Sequence, residues 1–181
     1  SEVEELLKRV EEATERHKRE IERLEDEIRK VLEDVDKRSK ELNDHNRDVI
    51  EKIRERIERT RDKDTLKKLV DDLRELSERH KREHDRLLEE VKRVAEDIKR
   101  RIDELLRHNE ELLRDVKRRL EERGGVREVK TELDKLHEDL KRTAEEVKKR
   151  LDDLLKELEK KVEESKTEID RSLEELEKTA R

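Results

Sequence analysis

The chain has 181 residues, of which 60% are charged and 28% hydrophobic, with a formal net charge of −6 and no Phe, Trp, Tyr, Pro, Cys or Met. Without cysteine there is no disulfide and no thiolate chemistry, and no apolar run or leader pattern suits a membrane span or a signal peptide. Low hydrophobicity is also a mark of disorder, but the apolar residues here are periodic, and charged residues with Leu, Val and Ile are the composition of long helices.

The first stripe begins at once. Val3, Leu7, Val10, Thr14, His17, Ile21, Leu24, Ile28, Val31, Val35, Ser39, Leu42, Asn46, Ile50, Ile53 and Ile57 alternate three and four apart, which is helix periodicity near the coiled-coil repeat. Ser1 with Glu4 fits a capping box at its start. The stretch TRDKDTLKKL at 60–69 breaks the pattern, and Asp62 or Asp64 can cap a new helix there.

A second stripe follows from Leu66 through Val70, Leu73, Ser77, His80, His84, Leu87 and Val91 to Asn109, Val116 and Leu120. Gly124 and Gly125 are the only glycines, and Gly124 suits the left-handed position that ends a helix. The third stripe runs from Val126 and Val129 through Leu133, Leu140, Val147 and Leu158 to Ser165, Ile169 and Leu176. The expected helices span about 2–61, 65–123 and 126–180, each on the order of 85 to 90 Å long. Short connections make neighbours antiparallel. The expected fold is all-α, an antiparallel up-down-up three-helix bundle forming one rod-like domain over residues 1–181.

The polar residues in the stripes fall at two heights. If the first turn centres near residues 63 to 64, Asn46 faces His80 and His17 faces Asn109. If the second centres between Gly124 and Gly125, His84 faces Ser165 and Ser77 faces Ser172. One layer then holds His17, His137, and His108 or Asn109, with Thr14 and Thr143 a turn away. The other holds Asn46 or His45, Ser77, His80, His84 and Ser165, with Ser172 a further candidate and Ser39 farther along. All six histidines belong to one layer or the other. Grouping has a physical reason: a buried polar group without a partner costs about 1–3 kcal/mol, and a satisfied network penalises any slip in helix register.

On these features the chain resembles de novo designed helical bundles with buried hydrogen-bond networks: near-ideal helices, a Gly-Gly loop, a surface of Glu, Lys, Arg and Asp, an aliphatic core, and layers of His, Asn, Ser and Thr. Spectrin-like repeats share the three-helix plan, but they carry core aromatics and shorter helices. The resemblance implies a structural role, as a stable scaffold or an assembly module, with no natural biochemical activity.

Sharper chemistry fits less well. His80 and His84 could chelate one ion from one helix face, and His17, His108 and His137 lie at similar height on three helices. Zinc, however, takes four ligands in most sites, and no carboxylate or thiolate on the stripes completes a set, so no metal and no cofactor is expected. Ser77 with His80 lacks an orienting acid and an oxyanion hole, so no catalytic residue is expected either. Basic clusters such as KKR at 148–150 are flanked by acids, and no aromatic can stack on a base, which argues against nucleic acid.

A pH response is the main alternative. Histidines buried as neutral groups resist protonation, so acid should destabilise the bundle. Paired shoulder residues such as Leu6 with Leu7, Val49 with Ile50 and Leu154 with Leu155 could cover core edges or form a seam for a second copy or a designed helical partner. The narrow stripes favour a self-contained monomer that needs no partner. On the outer faces, acid-then-base pairs at four spacing are expected, among them Glu25 with Arg29 and Asp103 with Arg107.

Overall fold

The computed structural model describes residues 1–125 and 127–181. Three helices account for nearly all of them: α1 (Glu2–Arg59), α2 (Lys63–Glu122) and α3 (Arg127–Ala180). Val126, the expected first residue of the third stripe, lies outside the described residues. The helices pack on one another as a three-helix bundle, and the described residues contain no strand.

Local chemistry accounts for the helix ends. The Glu4 amide donates to Ser1 Oγ at 3.3 Å, and the Glu4 carboxylate reaches back to the terminal ammonium at 3.7 Å. Asp62 caps α2: it takes the Thr65 hydroxyl at 2.7 Å and backbone N–H groups of Thr65 and Asp64. These hydrogen bonds, the Thr65 hydroxyl first, hold its carboxyl below the usual range. At the end of α2, the Gly125 amide donates to the Leu120 carbonyl at 2.8 Å and the Gly124 amide to Glu121 at 3.2 Å. That is the Schellman pattern, and it requires the positive φ of 89° found at Gly124.

The chain divides into two compact units. Unit 1 comprises Ser1–Lys30 and Arg93–Asp153. Within it α1 and α2 are antiparallel: Asn109 meets His17, whereas Arg101 meets Glu20 and Glu27. Lys117 pairs with Asp134 and Lys99 with Asp152, so α3 runs antiparallel to α2. One core cluster joins Val10, Leu113, Val116, Leu120 and Leu133, with Leu6, Leu7 and Leu136 packed around it.

Unit 2 comprises Val31–Lys92 and Leu154–Arg181. Here Arg38 pairs with Glu90 while Asn46 meets His80, and Lys166 pairs with Asp85 while Arg74 pairs with Glu177. Both neighbouring pairs of helices are again antiparallel. Its core cluster joins Ile53, Ile57, Leu69, Leu73 and Leu176. Each such side chain stabilises the fold by about 1.5–3 kcal/mol relative to exposure.

Two details depart from the stripes. In α2, Leu69, Ala95 and Leu113 are buried although they lie one position off the stripe, while the stripe residues Leu66, Val70, Val94 and Leu112 are half-buried. A helix wedged between two neighbours buries a face wider than one residue per step, and packing chooses within it. On the surface, Glu25 bonds to Arg150 of α3 at 2.6 Å, and Asp103 pairs with Lys148 of α3, in place of the expected partners on their own helix. Glu25 lies at the seam, its side chain 15% exposed, within reach of the facing helix.

Candidate functional site: two buried polar layers

In unit 1 the polar layer is organised by one amide. Asn109, 1% exposed, stands on the core face of α2. Its Oδ1 accepts from the Thr14 hydroxyl at 3.2 Å and from His17 Nδ1–H at 2.9 Å, both on α1. Its Nδ2 donates to His137 Nδ1 on α3 at 3.0 Å. These bonds assign tautomers: His17 carries its proton on Nδ1, and neutral His137 carries it on Nε2. One side chain thus ties all three helices. Burial lowers the pKa of His137.

Unit 2 holds a larger network. His84 is fully buried. Its Nε2–H donates to Asn43 Oδ1 at 3.0 Å, and its Nδ1 accepts from the Ser39 hydroxyl at 3.4 Å. Asn43 Nδ2 donates in turn to Ser165 Oγ on α3 at 3.3 Å, so Asn43 is the bridge between His84 and Ser165. One turn along α2, Asn46 Nδ2 donates to His80 Nδ1. The two imidazoles stand with centroids 4.3 Å apart, tilted by 60°.

Desolvation is the first cause that lowers both pKa values. The adjoining His80 ring further opposes a charge on His84, which falls to about 4. His80 Nε2 has no hydrogen-bond partner among the described residues. A contact of the His80 ring with the Ser165 backbone, outside ordinary hydrogen-bond geometry, favours the charged ring, but desolvation outweighs it.

Ser77 is fully buried. Its hydroxyl points to Asp170 Oδ1 at 3.5 Å, and Asp170 is also held by Lys81 at 2.6 Å. The serine therefore faces a carboxylate on α3 rather than His80.

Several expected members stand elsewhere. His45 and His108 are exposed, which corrects their place in the layers. Each precedes a buried Asn, and successive helix residues diverge by about 100°, so only one of each pair can face the core. Thr143 is half-buried, but its hydroxyl bonds to the Asp139 carbonyl one turn back at 3.2 Å and joins no network. Ser172 does not pair with Ser77; it lines a small cavity beside His80.

Asn43 and Asp170 are network members that the stripes did not single out. Asn43 carried a signal: it lies four residues after Ser39 and three before Asn46, the spacings of a shared helix face. Asp170 is one of many surface-type acids and carried none.

Among the described residues, no group of three or more His, Cys, Asp or Glu is placed to hold a metal ion. No described helix is long and apolar enough to cross a membrane. The arrangement can fix helices and resist protonation.

No protein-family model matches this sequence, and no curated protein matches it. Among solved structures it is similar to a computationally designed three-helix bundle. The likeness covers 99% of this chain and 84% of that one, with a TM-score of 0.58 and 23% sequence identity.

Proposed function

We propose that the protein is a designed structural scaffold or assembly module, without catalytic activity, whose buried His, Asn, Ser and Thr layers fix helix register. The observation that carries this reading is Asn109, whose amide bonds Thr14 and His17 on α1 and His137 on α3 at once. Sliding α1 by one turn would strand the amide and its partners, and each buried orphan costs about 1–3 kcal/mol. Aliphatic contacts carry no such penalty, because one Leu or Ile layer accepts another. The likeness to a designed three-helix bundle supports the origin, as do the aromatic-free core and the Gly-Gly turn.

The test replaces the unit 1 layer with Thr14→Val, His17→Leu, Asn109→Leu and His137→Leu together. Spin labels at Lys8→Cys and Arg114→Cys, both exposed positions, report the register of α1 against α2. The expected result is one sharp distance in the parent and a broadened or split distribution in the aliphatic variant, with stability kept or raised. A single unchanged distance in the variant sinks the reading.

A second reading, a pH-responsive helical module, is favoured by one feature. His80 and His84 are buried side by side as neutral rings, where charging either opposes charging the other. If the unfolding midpoint and the molar mass are both unchanged between about pH 7 and about pH 5, this reading is removed. Molar mass also tests whether the chain acts as a single copy, as its narrow apolar faces suggest.

A further inference from the structure

We propose that the seam between α2 and α3 is a recognition surface that selects the winding sense of the bundle, the side of the α1–α2 pair on which α3 lies. It is built from one motif, a Lys followed four residues later by an acid. The motif occurs on α2 at Lys81 and Asp85, Lys99 and Asp103, and Lys117 and Glu121. It occurs again on α3 at Lys130 and Asp134, Lys148 and Asp152, and Lys166 and Asp170. Each step along either helix is 18 residues, about five turns, so every copy of the motif on one helix faces the same way.

The structure joins the two series into four-membered boxes. In unit 2, Lys81 holds Asp170 at 2.6 Å and Lys166 holds Asp85. In unit 1, Lys99 holds Asp152 at 2.5 Å and Lys148 holds Asp103. Farther along unit 1, Lys117 holds Asp134, and Lys130 holds Glu121 at 2.7 Å. Each Lys of the motif thus meets an acid of the facing helix. Its hydrogen bond to Asp152 raises the pKa of Lys99, and the bond to Asp85 does the same for Lys166. Neither seam of α1 shows such a repeat among the described residues. Its ion pairs, such as Arg38 with Glu90 of α2 and Glu25 with Arg150 of α3, follow no fixed interval on both helices.

The short turn makes α2 and α3 antiparallel, but it allows α3 to lie on either side of the α1–α2 pair, and aliphatic stripes serve both windings. The charges do not. In the opposite winding, the flanks of α2 and α3 that now face α1 would meet each other instead. Arg101 and Arg150 stand on those flanks, since they pair with Glu20 and Glu25 of α1. Counted outward from the turn, as the boxes are, Arg101 falls level with Arg150. A further 18 residues from the turn, Glu83 falls level with Glu168. Both are encounters of like charge. A single exposed ion pair contributes little to stability. Here, however, attraction in one winding stands against repulsion in the other, and specificity is set by that difference. The proposal goes beyond the register set by the polar layers and changes none of their residues.

The test exchanges Lys and acid within the unit 1 boxes of the full chain, which keeps the net charge. On α2 the exchange is Lys99→Glu, Asp103→Lys, Lys117→Glu and Glu121→Lys. On α3 it is Lys130→Glu, Asp134→Lys, Lys148→Glu and Asp152→Lys. Spin labels at Glu110→Cys and Lys141→Cys report the seam, because both positions are exposed and both lie close enough to His137 to act on its charge. The parent and the chain exchanged on both helices should share one short distance and one guanidinium midpoint. A chain exchanged on one helix should show a second, longer distance. Its unfolding constant should rise on the order of tenfold at low salt, and the difference should shrink at high salt. If that chain does not fold, the exchange confined to Lys117 and Glu121 is milder and serves in its place. A single short distance in a folded chain exchanged on one helix overturns the proposal, and so does a double exchange that fails to restore the parent values. The labels at Lys8 and Arg114 read α1 against α2, so failure of the register reading remains a separate result.

Discussion

His84 on α2 donates its Nε2–H to the side-chain carbonyl of Asn43 on α1 at 3.0 Å, and the imidazole is fully buried while Asn43 is half-buried. Asn43 spends its other end on Ser165 of α3. A residue outside the obvious polar pattern is therefore the link between three helices in unit 2.

Asn43→Ala should destabilise the chain by about 1–3 kcal/mol, because the buried His84 donor loses its acceptor. Asn43→Asp keeps an acceptor for His84 and should lose less near neutral pH. Guanidinium unfolding followed by circular dichroism measures both, and an alanine variant as stable as the parent would remove Asn43 from the network.

Asn109→Ala should cost at least as much as Asn43→Ala. It orphans Thr14 and His137 together and leaves a void where the amide stood. In contrast, His108→Gln, next door but exposed, should shift the midpoint by less than about 0.5 kcal/mol. Equal effects from the two neighbours would contradict the orientation of α2 found here.

Acid should weaken the fold through His84. The unfolded imidazole takes up a proton near pH 6.5, whereas the buried one resists to about 4. Between those values the unfolded chain binds more protons. The stabilisation is complete above about pH 6.5, declines as the pH falls, and is exhausted near the folded value. The gap corresponds to a loss on the order of 3 kcal/mol, with His80 and His137 adding in the same direction. Unfolding midpoints measured across this range should fall. His84→Asn should flatten the slope.

Gly124→Ala should cost about 1 kcal/mol even though a Cβ there meets no neighbour within 4 Å. The strain comes from the backbone, at φ of 89°, and not from crowding. Thermal melts of this variant beside Gly124→Asn, which tolerates that conformation better, separate the two causes: a contact effect would penalise the larger Asn more.

Helix number, turn positions and antiparallel order were readable from local information. The apolar spacing, the Asp62 cap and the Gly124 terminus each act within a few residues of themselves, and short turns leave neighbouring helices little choice of direction. The alignment of Asn46 with His80, and of His17 with Asn109, follows from counting outward from a turn, because every helix residue rises by the same amount. The sequence could not choose between His45 and Asn46 or between His108 and Asn109, and it passed over Asn43 and Asp170. It also placed Glu25 and Asp103 with partners on their own helix. Those outcomes depend on the azimuth at which each helix meets two neighbours at once, a quantity that exists only after packing. A side chain one position off the stripe becomes buried or exposed according to that angle, and so only the tertiary structure decided which donors and acceptors would meet.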